Sequence, residues 1–501
     1  MTTYAKVAPP IRLDVADSQT ALPPEGAGKT AILVVHGMGQ QVPFETLELV
    51  ARLVQGQNTR NGGDPSITTR SVEIGAAQLP RAEIRVTRAD KSERDVHLYE
   101  AYWAPLTEGK VSMWQALEFL AEGAFQGLRH AWPGRVFRRW LFGDWREFPV
   151  NHWVTFHFVL AILVVFSVLA LNGISVAVVA GLLLGAPWLG PSRLAILTLD
   201  LATFAGAVAL MGGVILAARR LRRSGADRTQ ASFTLAPGIS STGWLLILAS
   251  LVTMVAAAGA AALNLLRPLS SAGDGLPVSH RVGLLLWLAP FCATGVVRFA
   301  LQEFVGDVAA YVSSHKVSRF NDVREAIQAV GQQVFEAVYS ARASGANEFE
   351  YERVLVMGHS LGSVVAFDVL NKALTADDLV DRRRRALHRT GLLLTFGSPL
   401  EKTAFIFREQ KADTSDVRES LAAAKRPMIA AEEYRRFPWV NLWSPHDVIS
   451  GRLRYYDDPE WTAPPVGAVH NLEDPEACTP LLAHVEYWES ELLSRQLFAR
   501  I

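Results

Sequence analysis

With 501 residues the chain has room for two or more domains, so core size does not restrict its fold. Lys and Arg number 49, and so do Asp and Glu, which leaves no net charge to draw the protein to nucleic acid. Half of the residues are apolar and 20% are charged, with the apolar ones gathered between about residues 153 and 301, which points away from a wholly water-soluble chain and marks a membrane region.

No charged-then-apolar run opens the chain, and residues 1–29 are rich in Pro and Gly. A flexible segment without a cleaved signal is expected there, leaving the first membrane helix to direct insertion. From Thr30 to His36 a short β-branched apolar run leads into Gly37-Met38-Gly39 and a helix-like stretch from Pro43, which reads as strand, turn, helix. Residues 83–87 and 95–103 predict two more strands, and Trp114 to Leu128 an amphipathic helix approaching the membrane. The soluble part is thus expected to begin as a segment over 30–150.

A membrane span needs about 20 apolar residues. Trp153 to Leu189 is long for one span and short for two, whereas the runs at Leu194 to Ala218, Trp244 to Leu266 and Val282 to Ala300 are each long enough to cross. Strand signals lie on both sides of this block. If one sheet uses both, the number of crossings must be even. Arg135, Arg138, Arg139 and Arg146 before the block, and Arg219, Arg220, Arg222 and Arg223 after the second run, place both flanks on the cytoplasmic side. The expectation is therefore four spans over 151–301, with Trp153 to Leu189 one long or broken span, irregular at Asn172-Gly173 and Pro187. A hairpin there with a non-spanning last run is the alternative.

Residues 302–501 resume the α/β pattern. Asp322 to Ala343 predicts an amphipathic helix, Arg353 to Met357 a strand, and Ser363 onward a helix to Lys372. Gly391 to Phe396 and Trp439 to Trp443 repeat the strand signal. The fold class is α/β, a mainly parallel sheet with flanking helices interrupted by a transmembrane helical insertion. Cys292 and Cys478 follow no metal-ligand spacing, so neither a metal nor a disulfide framework is expected, and no cofactor is implied.

Between the strand Val354-Leu355-Val356-Met357 and the helix that follows stands Gly358-His359-Ser360-Leu361-Gly362. A serine hydroxyl is a weak nucleophile and must be lifted on a sharp turn toward a base. Gly358 and Gly362 leave room for that backbone, and the helix N-terminus aims its amides at a developing oxyanion. A tight turn capped by Ser360 is the plain structural alternative.

This pentapeptide, together with His36-Gly37-Met38-Gly39, resembles the α/β-hydrolase superfamily, especially its lipases and esterases, over residues 30–130 and 302–490. The resemblance implies an oxyanion hole from the backbone N–H groups of Met38 and Leu361, with Gly37 and Gly39 supporting the loop. It also implies the chain order Ser, Asp, His. Asp447 then becomes the acid, because it leaves the strand Trp439 to Trp443 by a turn, whereas Asp377, Asp378 and Asp381 sit in a charged connection and Asp413 and Asp416 in a polar segment. His484 becomes the base, with His470 the alternative, and His36 positions its turn. Ser398 in Thr395-Phe396-Gly397-Ser398-Pro399 is expected to shape the pocket wall. Arg382 to Arg385 read as a solvated loop rather than a headgroup site.

The implied activity is a serine ester hydrolase on a lipid or other acyl substrate, with the bilayer as partner and the hydrolase part facing the cytoplasm. Thioesterase and acyltransferase chemistry would use the same residues. The competing readings are an inactive hydrolase-like scaffold and a transporter with a regulatory soluble domain. Few ionisable groups lie in the spans, with Asp200 the only acid, which gives a transporter no evident ion path.

Overall fold

The computed structural model describes residues 6–15, 28–39, 41–108, 110–131, 136–141, 144–149, 152–226, 241–266, 281–282, 284–288, 306–312, 318–344, 347–380, 382–405, 426–463, 465–479 and 482–501. The chain divides into two units. One comprises residues 1–111, 129–150 and 306–501, and the other residues 112–128 and 151–305.

The first unit is built on an eleven-stranded sheet. Its strands, with those of a separate hairpin, run in chain order β1 (Lys6–Val7), β2 (Ile11–Val15), β3 (Lys29–Val35), β4 (Thr68–Ile74), β5 (Ala77–Thr87), β6 (Glu93–Ala101), β7 (Val136–Leu141), β8 (Asp144–Pro149), β9 (Ala341–Arg342), β10 (Tyr351–His359), β11 (Thr390–Phe396), β12 (Trp439–Trp443) and β13 (Val469–Glu473). The sheet order is β13-β12-β11-β10-β3-β6-β5-β4-β2-β9, with β1 against β4, while β7 and β8 form the hairpin. The six strands from β13 to β6 pair in parallel, and β5 pairs antiparallel to both β6 and β4.

The parallel strands carry continuous apolar runs because both faces of the sheet are covered. Ile32, Val34, Leu355, Met357, Leu392, Leu394, Val440 and Leu442 pack on one face with Leu47, Val50 and Val54 of helix α1 (Glu45–Arg60) and with Leu493 and Leu497 near the C-terminus. Against the sheet also pack two helices that follow the membrane region, over Ser318–Ser340 and Leu361–Asp378.

From β10 the chain builds outward through β11, β12 and β13, whereas from β3 it builds the other way through β6. The direction therefore reverses between β3 and β10. At such a reversal the connections leave the carboxyl edge to opposite sides and open a crevice there.

The second unit holds three helices long and apolar enough to cross a membrane. Helix α2 (Met113–Ala131) lies mostly in this unit, and α3 (His152–Leu183), α4 (Pro191–Ala226) and α5 (Ser241–Leu266) contain the candidate spans 162–183, 191–214 and 245–266. Spans of 22 to 24 residues reach about 33–36 Å at about 1.5 Å per residue, enough for the hydrocarbon core. Leu171, Val178, Leu194, Leu201, Met254 and Ala261 form their shared core.

Several expectations change. Residues 11–15 are not part of a flexible leader: the alternating Ile-Arg-Leu-Asp-Val pairs with β4 on one side and β9 on the other, buried at Leu13. Strand β4, the β7–β8 hairpin and β13 also exceed the sequence reading. Asn172-Gly173 does not interrupt α3, because Asn172 Nδ2 donates to the Val168 carbonyl 2.9 Å away and the polar group is satisfied inside the helix. The chain instead breaks after Leu183, at a turn that includes Pro187, so the hairpin alternative within 153–189 does not occur. The fourth apolar run, 282–300, lies largely outside the described residues.

Asp200, the acid within the second candidate span, accepts a hydrogen bond from Asn264 Nδ2 at 2.8 Å, joining α4 to α5. Polar pairs of this kind contribute on the order of 1 kcal/mol between membrane helices. We expect Asn264→Leu to lower thermal stability in detergent by about that amount, and the double variant Asp200→Leu/Asn264→Leu to recover part of it. A double variant less stable than the single one would show that the pair does not act as a unit.

Candidate active site

Strand β10 ends at His359 and helix α7 here denotes Ser318–Ser340, α8 Leu361–Asp378, after the short helix α6 (Gly306–Val312) that precedes both. Between β10 and α8 stands Ser360 alone, buried, with φ 54° and ψ −130°. A non-glycine residue seldom occupies this region, and holding it there costs about 1–3 kcal/mol. The surroundings enforce it. Ser360 N–H donates to the Phe396 carbonyl at 3.1 Å, and Ser363 Oγ sits 2.6 Å from the Ser360 carbonyl and from Ser398 Oγ. Ser398 therefore braces the turn through Ser363.

The two motif glycines are required by close approach. A Cβ at Gly362 would fall 2.2 Å from the His36 carbonyl oxygen, and one at Gly358 would fall 2.6 Å from that of Gly362. Only bare backbone lets α8 begin this close to β3 and to its own strand.

The structure brings Ser360, His484 and Asp447 together. His484 Nε2 is 2.8 Å from Ser360 Oγ, and His484 Nδ1 is 3.0 Å from Asp447 Oδ2. Each comes from a different strand end: Ser360 follows β10, Asp447 follows β12, and His484 follows the chain beyond β13. With Nδ1–H donating to the carboxylate, Nε2 is the nitrogen left to accept the serine proton.

Asp447 is buried. Burial pushes its carboxyl up, but His484, the Lys402 ammonium and the Ile449 N–H outweigh this and hold it below the usual carboxylate range. Its Oδ1 accepts the Ile449 N–H at 2.8 Å and its Oδ2 the Tyr487 hydroxyl at 3.2 Å. Lys402 Nζ donates to the carbonyls of Val448 and Ser450, the latter at 2.8 Å, so a buried cation clamps the loop on the far side of the acid. Burial pushes that ammonium down to about 8. The histidine's approach is held by Glu486 Oε2, which accepts the N–H groups of Cys478 and Thr479.

His36 lies in the turn after β3 with both ring nitrogens occupied. Nε2 accepts the Trp103 N–H at 2.9 Å, which leaves Nδ1–H to donate to the Gly37 carbonyl at 2.8 Å. Burial lowers this imidazole to about 4, consistent with a neutral ring that positions backbone. The loop it fixes runs beside the serine: a Cβ on Gly37 would meet Ser360 Cβ at 3.0 Å. Among the described residues no group accepts the N–H of Met38 or of Leu361. Gly39 takes φ 94° and turns the chain away.

Other positions fall elsewhere. His470 is exposed on β13. Asp377 caps the turn that follows α8, accepting the N–H groups of Arg384 and Ala386, and Asp378 pairs with Arg382. The Arg382–Arg385 stretch thus sits at the sheet edge opposite Ser360, partly neutralised. Asp381, Asp413 and Asp416 lie outside the described residues.

Sequence reasoning missed His359, Lys402 and Tyr487. His359 Nε2–H donates to the His484 carbonyl at 2.9 Å, and its ring lies 5.0 Å from that of His484. Its place inside the Ser360 pentapeptide was the available signal. Tyr487 stands three residues after His484, a helical spacing. Nothing in the sequence set Lys402 apart from solvated lysines.

Compared with protein-family models, curated proteins and solved structures, the chain matches none.

Three buried histidines make stability depend on pH. Desolvation lowers His36 to about 4 and His359 to about 3, and holds His97 well below its ordinary value. The unfolded chain takes up these protons near pH 6.5, while the folded state refuses them. Stability is thus complete above that pH and lost below it, by about 1.4 kcal/mol per pH unit for each histidine. Melting temperatures in detergent should fall steadily from pH 6.5 to 4.5, and His359→Gln should make the decline shallower. A profile flat across this window would contradict the assignment.

Proposed function

We propose that the protein is a membrane-anchored serine hydrolase of α/β-hydrolase type that cleaves an ester, of a lipid or another acyl compound, through an acyl-enzyme. The observation that carries this reading is the continuous relay at the carboxyl edge of the sheet, from Ser360 Oγ to His484 at 2.8 Å and from His484 to Asp447 at 3.0 Å. A serine braced in a strained turn, a base oriented by a buried carboxylate and two unengaged backbone donors are what acyl transfer requires.

In this mechanism Ser360 Oγ attacks the ester carbonyl while His484 Nε2 takes its proton. The negative charge that develops on the carbonyl oxygen is met by the N–H groups of Met38 and Leu361. Asp447 stabilises the imidazolium, which returns the proton to the leaving alcohol. Water, deprotonated by His484, then attacks the acyl-enzyme and releases the acid. Three apolar helices in the same chain favour substrates that partition into or lie against a bilayer.

Strand pairing supports an even number of crossings. β3 precedes the apolar region and β10 follows it, yet the two lie side by side from Lys29 to Val35. In this reading both ends of the region lie on one side of the membrane. Alongside three described apolar helices, the run 282–300 is the sequence's candidate for the fourth. Arginines at the C-terminal end of α4 favour a cytoplasmic location for that side.

Purified protein should react with a fluorophosphonate probe. Ser360→Ala should abolish labelling, and His484→Ala and Asp447→Asn should slow it by about 10³-fold or more. A folded wild type that resists the probe would favour an inactive scaffold. In oriented vesicles, a cysteine at Ser271 should be modified by an impermeant reagent from the outside only, and one at Asp227 from the inside only. Modification of both from one side would show that α5 does not cross and would overturn the four-span reading.

A further inference from the structure

The loop that offers Met38 N–H has no secondary structure of its own. His36 fixes its start through Trp103 and Gly37. Its end is fixed from a distant part of the sequence. Asp307, 4% exposed, accepts the Gly39 N–H on Oδ2 at 2.7 Å. It belongs to α6, the first described element of the soluble unit after the membrane region.

One helical turn later, Tyr311, 1% exposed, donates its hydroxyl to Asp368 Oδ2 at 3.1 Å. Gln328 Nε2 donates to that hydroxyl at 3.1 Å, so the tyrosine proton is directed at Asp368. Asp368 lies on α8, the helix whose first N–H belongs to Leu361, and Arg324 holds the same carboxylate at 2.6 Å. Residues four apart share a helix face. Two side chains of one short helix therefore hold the two pieces of backbone that carry the unengaged donors: the loop with Met38 on one side and the helix begun by Leu361 on the other.

We infer that Asp307 is a positioning residue for the oxyanion hole, setting the direction of the Met38 N–H through Gly39, with Tyr311 keying the same helix to the nucleophile helix. This rests on the hydrolase reading. The bond at Gly39 asks for an acceptor and not for a charge. An amide at position 307, accepting through its Oδ1, should therefore serve that bond as well. A donor displaced by about 1 Å can cost about 10²-fold in rate, and loss of one oxyanion donor about 10²–10³-fold.

The test uses the full-length protein in detergent with p-nitrophenyl butyrate as probe. Asp307→Ala should lower kcat by about 10- to 100-fold with KM within about 3-fold, and should weaken inhibition by a trifluoromethyl ketone, whose tetrahedral adduct needs the same donors, by a similar factor. Asp307→Asn should retain wild-type kcat. Asp307→Ala with kcat within about 3-fold of wild type, or Asp307→Asn as impaired as Asp307→Ala, would overturn the inference. Should Asp307→Ala fail to fold, Tyr311→Phe decides: an unchanged kcat in that variant overturns the inference, and a kcat lowered about 3-fold or more at constant KM supports it. A wild type that is not labelled at Ser360 would remove the hydrolase reading and this inference with it. A labelled wild type beside an unimpaired Asp307→Ala would remove this inference alone.

Discussion

The parallel pairing of β3 with β10 is the contact on which the rest of the site depends. It joins Lys29–Val35 to Tyr351–His359 across some three hundred residues, including the three long apolar helices among the described residues. Once the two strands lie together with both faces covered, their carboxyl ends coincide, and the turn His36-Gly37-Met38-Gly39 comes to lie against Ser360. The bare glycines then follow as steric requirements, since Gly362 packs directly on the carbonyls of Val35 and His36. Closing so long a connection is cheap in chain entropy, because that cost grows only logarithmically with length. An insert that folds by itself costs still less.

The parts of the fold that were legible in the sequence are those where one chain segment carries the whole signal. The runs at 30–36, 353–357, 391–396 and 439–443 are buried on both faces, so each is continuously apolar and bounded by turn residues. Ser360 was legible because its turn needs small residues on both sides. Asp447 and His484 were reachable only through the resemblance in chain order, as no local pattern distinguishes either from other acids and histidines. What stayed hidden is non-local. The strand Ile11–Val15 is defined by its partners β4 and β9, and Lys402, Asp307 and Tyr487 owe their places to groups distant in the chain or to a turn geometry that sequence does not print. Asn172-Gly173 misled for the opposite reason: it carries a strong local breaker signal, but in an apolar setting the helix itself is the best partner for the amide.

Charge in the site is arranged asymmetrically. Asp447 stays ionised in a buried position because His484, Lys402, Tyr487 and the Ile449 N–H all face it. His36 and His359 are kept neutral by the same burial, and each spends its ring on a backbone carbonyl. A protonated His359 five ångströms from His484 would oppose formation of an imidazolium there, so its neutrality leaves His484 free to accept a proton in the proposed reaction. Lys402 has the complementary effect, since its ammonium acts on the acid through space while its hydrogen bonds hold the Val448 and Ser450 carbonyls.

Strain at Ser360 explains why so many buried groups converge on one turn. A backbone held at positive φ would relax if its neighbours allowed it, and the few kcal/mol involved are comparable to a substantial share of a domain's net stability. The restraint is therefore distributed. Phe396 holds the serine amide, Ser363, itself in contact with Ser398, holds its carbonyl, and the N-terminal end of α8 is packed against β3 with no side chain between. None of these groups reaches the serine hydroxyl. They fix the backbone so that, among the described residues, the hydroxyl's close partner is His484 Nε2, and a rigid elbow with a free side chain is the condition under which a weak nucleophile can be activated by geometry.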